Sequence, residues 1–242
     1  MKPTTRRIFD ATSGRVMAFT YDRVMDRAQR RGLTELRART LAPATGRTLE
    51  IGAGTGLNLS LYPATVTELV LSEPFEPMAA QARTRIEAER SAQAAGSAAT
   101  VATLIGADAE ALPFDDGHFD TVIGTLVLCT IENPAAALAE VRRVLRPGGN
   151  FLFCEHVRSA DRRRARFQDL LHGPWFVCGH GCHCNRDTAA TIRASGLELA
   201  ELTTTELPAL PPIARELIIG IAVRPANDDP GLADPLGVAP KQ

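Results

Sequence analysis

The chain has 242 residues, 45% of them hydrophobic and 23% charged, with a formal net charge of −1. That length supports one large domain or two small ones with an unaided core, and the near-neutral balance offers no electrostatic footprint for nucleic acid. There is no uninterrupted run of about 18 apolar residues for a membrane span, no secretory signal in MKPTTRRIFDATSGR, and an odd count of five cysteines that suits free thiols in a reducing cytoplasm.

Residues 4–41 read as helical, with Val24, Met25, Ala28, Leu33 and Leu36 near helical spacing and Pro43 and Gly46 as breakers. Apolar strands and helices then alternate. The strands are TLEIG (48–52), ELVLSE (68–73), VATLIGAD (101–108), FDTVIGTLVLC (119–129) and NFLFCEHV (150–157). One helix runs from Pro74 to Arg90, followed by a small-residue linker at 91–100. Another occupies 133–149, with Asn133 as N-cap, Pro134 in its first turn and Pro-Gly-Gly as its stop. Such alternation predicts a parallel sheet covered by helices on both faces. SADRRRARFQDL (159–170) reads as a solvated helix face, with contact to an anionic ligand or a membrane surface as the functional alternative. A helix at 187–195, capped by Asn185, precedes two runs, 197–207 and 217–225, that suit an antiparallel pair at the sheet edge. The Pro-, Gly- and Asp-rich tail reads as disordered. Three parts result: an N-terminal helical lid (1–45), an α/β domain (46–225) and a tail (226–242).

Glu50-Ile-Gly52-Ala53-Gly54-Thr-Gly56 lies where the first strand is expected to turn into a helix. Glycines there let the backbone turn sharply and approach a ligand, and a helix N-terminus would offer free N–H groups. Glu73 ends the next strand, placed to hold both ribose hydroxyls of a nucleoside. The dinucleotide fingerprint needs G-x-G-x-x-G, but position 57 is Leu and the glycines run G-x-G-x-G. Glu50 beside them suits a ligand carrying an ammonium and a sulfonium better than a pyrophosphate.

LEIGAGTG resembles the first motif of the class I S-adenosylmethionine (SAM)-dependent methyltransferases. The resemblance extends through GADAEALPFDDGHFD (106–120) and RVLRPGG (143–149), covering about residues 46–225. It implies a Rossmann-like fold with a seven-stranded, mostly parallel sheet, an antiparallel edge strand, helices on both faces and the helical lid. It implies SAM as cofactor and S-adenosylhomocysteine (SAH) as product. Gly52, Ala53, Gly54, Gly56 and Leu126 would surround the methionyl part. Glu50 would lie beside it, Glu73 and Pro74 at the ribose, and Asp108 with the Ala109 backbone at the adenine. The string from Leu126 through Glu155-His156-Val157, Pro174-Trp175, Gly181-Cys182 and Arg186-Asp187-Thr188 is similar to the alkyl-thiol methyltransferases of the methyltransferase-like group and their bacterial relatives. That similarity implies a small-molecule acceptor, with a thiol first and C-, N- or O-methylation of quinone-like, natural-product or phospholipid acceptors as the rivals. A non-catalytic SAM-binding protein is the alternative of a different class. The mammalian members carry an apolar N-terminal anchor without counterpart here, which leaves peripheral membrane contact as an alternative. A monomer or a homodimer is expected.

Methyl transfer is a displacement whose rate comes mostly from alignment. A thiol with a pKa near 8.5 needs modest help in losing its proton. His156, at a strand's carboxyl end, is the first candidate base, and His183 the second. His172 reads as structural, at a helix end before Gly173-Pro174. FVCGHGCHCNRDT (176–188) crowds Cys178, His180, Cys182, His183 and Cys184 together, but lacks the paired C-x2–4-C halves of structural zinc. No metal is expected; the loop is expected to wall the acceptor pocket.

Overall fold

The computed structural model describes residues 14–94 and 102–227. The helix expected before residue 14, the last part of the 91–100 linker and the tail from 228 onward lie outside the described residues.

The elements run α1 (Arg15–Ala28), a π-turn (Gln29–Leu33), α2 (Thr34–Leu41), β1 (Gly46–Ile51), β2 (Val66–Ser72), α3 (Glu76–Ala94), β3 (Ala102–Ile105), β4 (Phe119–Thr125), α4 (Pro134–Val144), β5 (Leu145–His156), α5 (Arg162–Cys178), α6 (Thr188–Ala194), β6 (Glu198–Glu206) and β7 (Glu216–Val223). The sheet order is β3-β2-β1-β4-β5-β7-β6. The pairs from β3 to β5 are parallel, and β7 runs antiparallel to both β5 and β6.

Side-chain alternation along the strands builds a core on each face. Val122, Phe151 and Phe153 enter one cluster with Leu138, Val141 and Val144 of α4. Ile123 and Leu152 point the other way, into a cluster with Leu41 of α2 and Ile86 of α3. Helices therefore cover both faces. A third cluster packs Ala28 and Leu33 of the N-terminal helices on Leu207, Leu210 and Leu217.

Several boundaries differ from the sequence reading. The N-terminal helix breaks at Arg31 and Gly32, where Gly32 takes φ 123°. Residues 91–94, read as linker, continue α3. No α-helix follows β1; a loop and one 3₁₀ turn (Leu59–Leu61) take its place, because the Asn58 side chain is drawn into the interior by Glu50 and Arg37. β4 stops at Thr125, since Leu126 adopts φ 56°. α4 ends at Val144 rather than 149, and Leu145 starts β5 by pairing with Phe119. Asn133 does cap α4, accepting from the Ala136 N–H at 3.2 Å. α5 runs through Pro174 to Cys178, so His172 lies inside a helix rather than at its end. Asp187, not Asn185, caps α6 by accepting from Ala190 N–H at 2.9 Å; the Asn185 amide instead donates to Asp169 at 3.0 Å.

Candidate active site

The sheet's topological switch lies between β1 and β4, where ligands of open α/β sheets sit at the strands' carboxyl ends. A cavity of about 740 Å³ opens there, within the range of small-molecule sites. Gly52, Ala53 and Gly54 wall it after β1, Glu73 after β2, Leu126 after β4 and His156 at the end of β5, with His183 facing them from the 179–187 loop. The structure thus brings seven of the sequence-read residues to one cavity. Glu50, Gly56, Pro74, Asp108 and Ala109 do not line it.

The glycine loop is shaped by close approach. Gly52 takes φ 61°, and a Cβ there would lie 2.2 Å from Cγ2 of Val127. Gly56 takes φ 81° and faces Ala82 of α3, whose Cα would lie 3.4 Å from an added Cβ. Glu73 ties the loop to β2, accepting from Gly54 N–H and Phe75 N–H at 2.8 Å each. Asp108 follows β3 and accepts from Glu110 N–H at 3.1 Å, with Ala109 buried beside it. Pro74 is exposed.

Glu50 lies beneath the loop rather than in the cavity. Its carboxylate accepts from Asn58 Nδ2 at 2.7 Å and from the Tyr62 hydroxyl. Burial pushes it up to about 7, against the hydrogen bonds and the nearby Arg37. Arg37 completes this network, donating to Asn58 Oδ1 at 3.0 Å and Thr125 Oγ1 at 2.9 Å. It is 5% exposed, lies on the cavity wall, and its Nε has no protein partner. A buried guanidinium with a free N–H calls for an anionic group. The sequence reading missed Arg37, although it shares an i, i+4 stripe with Leu33 and Leu41.

A second latch was also missed. Thr55 of the glycine loop donates to Asp22 of α1 at 2.8 Å. Arg85 of α3 reaches both Asp22 at 2.5 Å and the Thr55 carbonyl at 2.7 Å. The first helix is thereby fastened to the loop it overlies.

The other end of the cavity is built where β4 and β5 stop. Glu155 is fully buried and accepts from the N–H groups of Val127 at 3.0 Å and Leu128 at 3.1 Å, fixing the turn after β4. Burial pushes Glu155 up to about 7. The 179–187 loop is sewn onto that turn. His183 N–H donates to the Cys129 carbonyl at 2.7 Å, and Arg186 Nη1 donates to the carbonyls of Leu128 and Ile131 at 2.7 Å each. Gln168 of α5 supports it from behind, its amide nitrogen 3.1 Å from the carbonyls of Val157, Cys184 and Ile213.

Cys129, Cys182, Cys184 and Trp175 form an apolar cluster against Ile213 and Ala214. Contact between the Cys129 and Cys182 thiols holds Cys129 protonated and favours the thiolate on Cys182. All five cysteines are free thiols. Among the described residues no group of three or more His, Cys, Asp and Glu side chains is placed to hold a metal ion.

The two candidate bases stand in different settings. His156 is 7% exposed and burial lowers it to about 4; its Nδ1 has no protein partner. His183 is also lowered to about 4, by burial first and then by Arg186 and His172. Its Nδ1 lies 2.8 Å from Nε2 of His172, and the two rings stack at 4.9 Å. Both histidines are neutral near pH 7 and able to accept a proton.

The residues present fit a SAM molecule: a cavity of sufficient size, a glycine cradle that a Cβ would fill at Gly52, an acidic residue after β2 and a buried cation with a free N–H. The comparisons agree. A family model described as "Methyltransferase domain" matches residues 49–153. Human thiol S-methyltransferase TMT1B is 32% identical over 177 residues, covering 71% of this chain and 66% of that protein. Human thiol S-methyltransferase TMT1A is 31% identical over 181 residues, covering 72% and 69%. The N-methyltransferase NodS from Bradyrhizobium japonicum, solved with SAH, superposes with a TM-score of 0.58 at 17% identity, over 82% of this chain and 88% of that one. The chain belongs to the class I SAM-dependent methyltransferases. Within that class it is related to the TMT1 thiol S-methyltransferases, while other relatives are named as phosphatidylethanolamine and demethylmenaquinone methyltransferases. SAM is its cofactor and methyl transfer its activity. No described helix is long and apolar enough to cross a membrane.

Proposed function

We propose that the protein methylates the sulfur of a small thiol. The observation that carries this reading is the match to thiol S-methyltransferases, which spans about 71–72% of the chain and so takes in more than the cofactor half. The acceptor end supports it: Trp175, Phe176, Leu210 and Pro211 give an apolar wall, and a thiol that ionises near pH 8.5 asks less of a base than an alcohol does. When bound, SAM supplies the methyl group as a sulfonium. In this reading Glu73 holds the ribose, with Pro74 beside it, and Asp108 and Ala109 hold the adenine. Gly52, Ala53, Gly54 and Leu126 enclose the methionyl portion; Arg37 takes its carboxylate, while Glu50 and Gly56 act from behind the wall by fixing Asn58 and the loop's approach to α3. The helices at 14–41 serve as a lid. The reading places the reaction in the cytoplasm, where five free cysteines persist, with the protein as a monomer or a homodimer.

Calorimetric titration with SAH is expected to give a one-to-one complex, and a panel of thiols, phenols, quinols and amines read by SAH release is expected to show turnover with alkyl or aryl thiols. Turnover confined to quinols, phenols or phospholipid amines would reject the thiol reading and leave the methyltransferase intact.

A further inference from the structure

A proton taken from the acceptor has to leave the site, and the two candidate bases differ in whether it can. His156 is walled in, and the Arg37 guanidinium repels positive charge on it. His183 is held neutral by burial and by Arg186 on the same loop. Neither imidazole is a good resting place for a charge. His183, however, is in contact with a second imidazole. Its Nδ1 is 2.8 Å from His172 Nε2, so Nε2 is the nitrogen left for a ligand in the cavity that His183 lines.

His172 lies on the outer side of that contact, partly exposed on α5, three residues after Asp169 on the same helix. Asp169 is ionised at every working pH. Paired by Arg158 at 2.5 and 2.7 Å and contacted by Asn185 at 3.0 Å, it is held down to about 2. The groups facing the pair are therefore Arg186 on the inner side, Asp169 with Arg158 and Asn185 on the outer side, and the Phe176 ring, 4.9 Å from His183 and 6.1 Å from His172. Burial and Arg186 disfavour positive charge on the inner ring, and the outer ring lies on the side of the Asp169 carboxylate.

We propose that His183 and His172 form a two-step proton relay that carries the acceptor's thiol proton from the cavity to solvent. This rests on the thiol reading above. His183 Nε2 accepts the S–H proton as His183 Nδ1–H passes its own to His172 Nε2. The sulfur keeps its electron pair as thiolate, His183 ends neutral with its tautomer exchanged, and the charge ends on His172 beside Asp169. His183 is the catalytic group of the pair and His172 a positioning and relay residue. The interior position of His172, one turn before Phe176 on an unbroken α5, sets its Nε2 against Nδ1 of His183.

The test compares wild type with His172→Phe, which retains a ring against His183 and Phe176 but takes no proton, on two acceptors. One is an alkyl thiol, protonated at pH 7; the other is an aryl thiol with electron-withdrawing groups, already ionised there. The relay predicts a loss in kcat of about 10²-fold on the alkyl thiol, a wild-type rate on the ionised thiol, and unchanged SAH binding. If His172→Phe fails to bind SAH, His172→Gln, which keeps a polar contact to His183 without carrying a proton onward, is read the same way. Equal losses on both acceptors, or none on either, overturn the relay while leaving the thiol reading standing. Failure of the wild-type protein to methylate either thiol overturns both.

Discussion

Glu155 offers a test of how the acceptor end is held. Its carboxylate is fully buried, spends Oε1 on the Val127 and Leu128 N–H groups, and has no protein partner at Oε2. Burial raises it from an ordinary value near 4.5 to about 7. Between those values the folded chain keeps a proton that the unfolded chain has released, so the unfolded state binds fewer protons and stability falls as pH rises. Below about 4.5 the group is neutral in both states and costs nothing; above about 7 it is ionised in both and the full penalty applies. Each pH unit is worth about 1.4 kcal/mol, so the penalty saturates near 3 kcal/mol. Glu155→Gln keeps an acceptor oxygen for the two N–H groups and carries no charge. Glu50 and His156, which also titrate with folding, are common to both proteins and cancel in their difference. Urea unfolding of wild type and Glu155→Gln from about pH 4.5 to 8 should show the variant gaining on wild type by about 3 kcal/mol across the range. In thermal melts this is a relative gain of about 6–12 °C for a chain of this size. A difference that stays constant with pH would refute the reasoning, because it would mean that Glu155 titrates alike in both states.

Two substitutions probe the cofactor end. Gly52→Ala forces a left-handed φ of 61° on a residue with a Cβ and drives that Cβ to 2.2 Å from Val127. The conformational cost of about 1–2 kcal/mol and the overpacking cost of about 1–3 kcal/mol together predict that SAH affinity in calorimetry drops about thirtyfold or more; an unchanged affinity would show that Val127 yields freely. Arg37→Met removes the buried guanidinium. It is expected to weaken SAH binding about tenfold or more, the worth of a charged hydrogen bond, yet to leave binding of an analogue lacking the methionyl carboxylate at the variant's own level with SAH. Equal weakening toward both ligands would assign Arg37 to the framework alone.

What could be read from the sequence divides along physical lines. The five central strands were legible because a parallel sheet buried on both faces leaves near-continuous apolar runs. The glycine loop was legible because its backbone turns demand glycine. The end of α4 was not: Leu145 follows Leu138 and Val141 at helical spacing, and only its pairing with Phe119, 26 residues earlier, makes it a strand residue. Glu50 and Gly56 were legible as part of a motif, but the motif does not say that they lie behind the wall, since that depends on where Asn58 and Ala82 fall. Arg37 was hidden among the many arginines of the first 41 residues, although an arginine on a leucine stripe is itself a signal of a buried cation. His172 was misplaced for a related reason. Gly173-Pro174 reads as a stop, but the helix carries the proline and continues to Cys178, which keeps His172 and Phe176 on one face. The loop then turns through His180 and Gly181, with φ of 55° and 82°, and brings His183 back under His172. Two histidines eleven residues apart became one pair through a helix that did not stop and a loop that turned back, and neither step is encoded in local propensity.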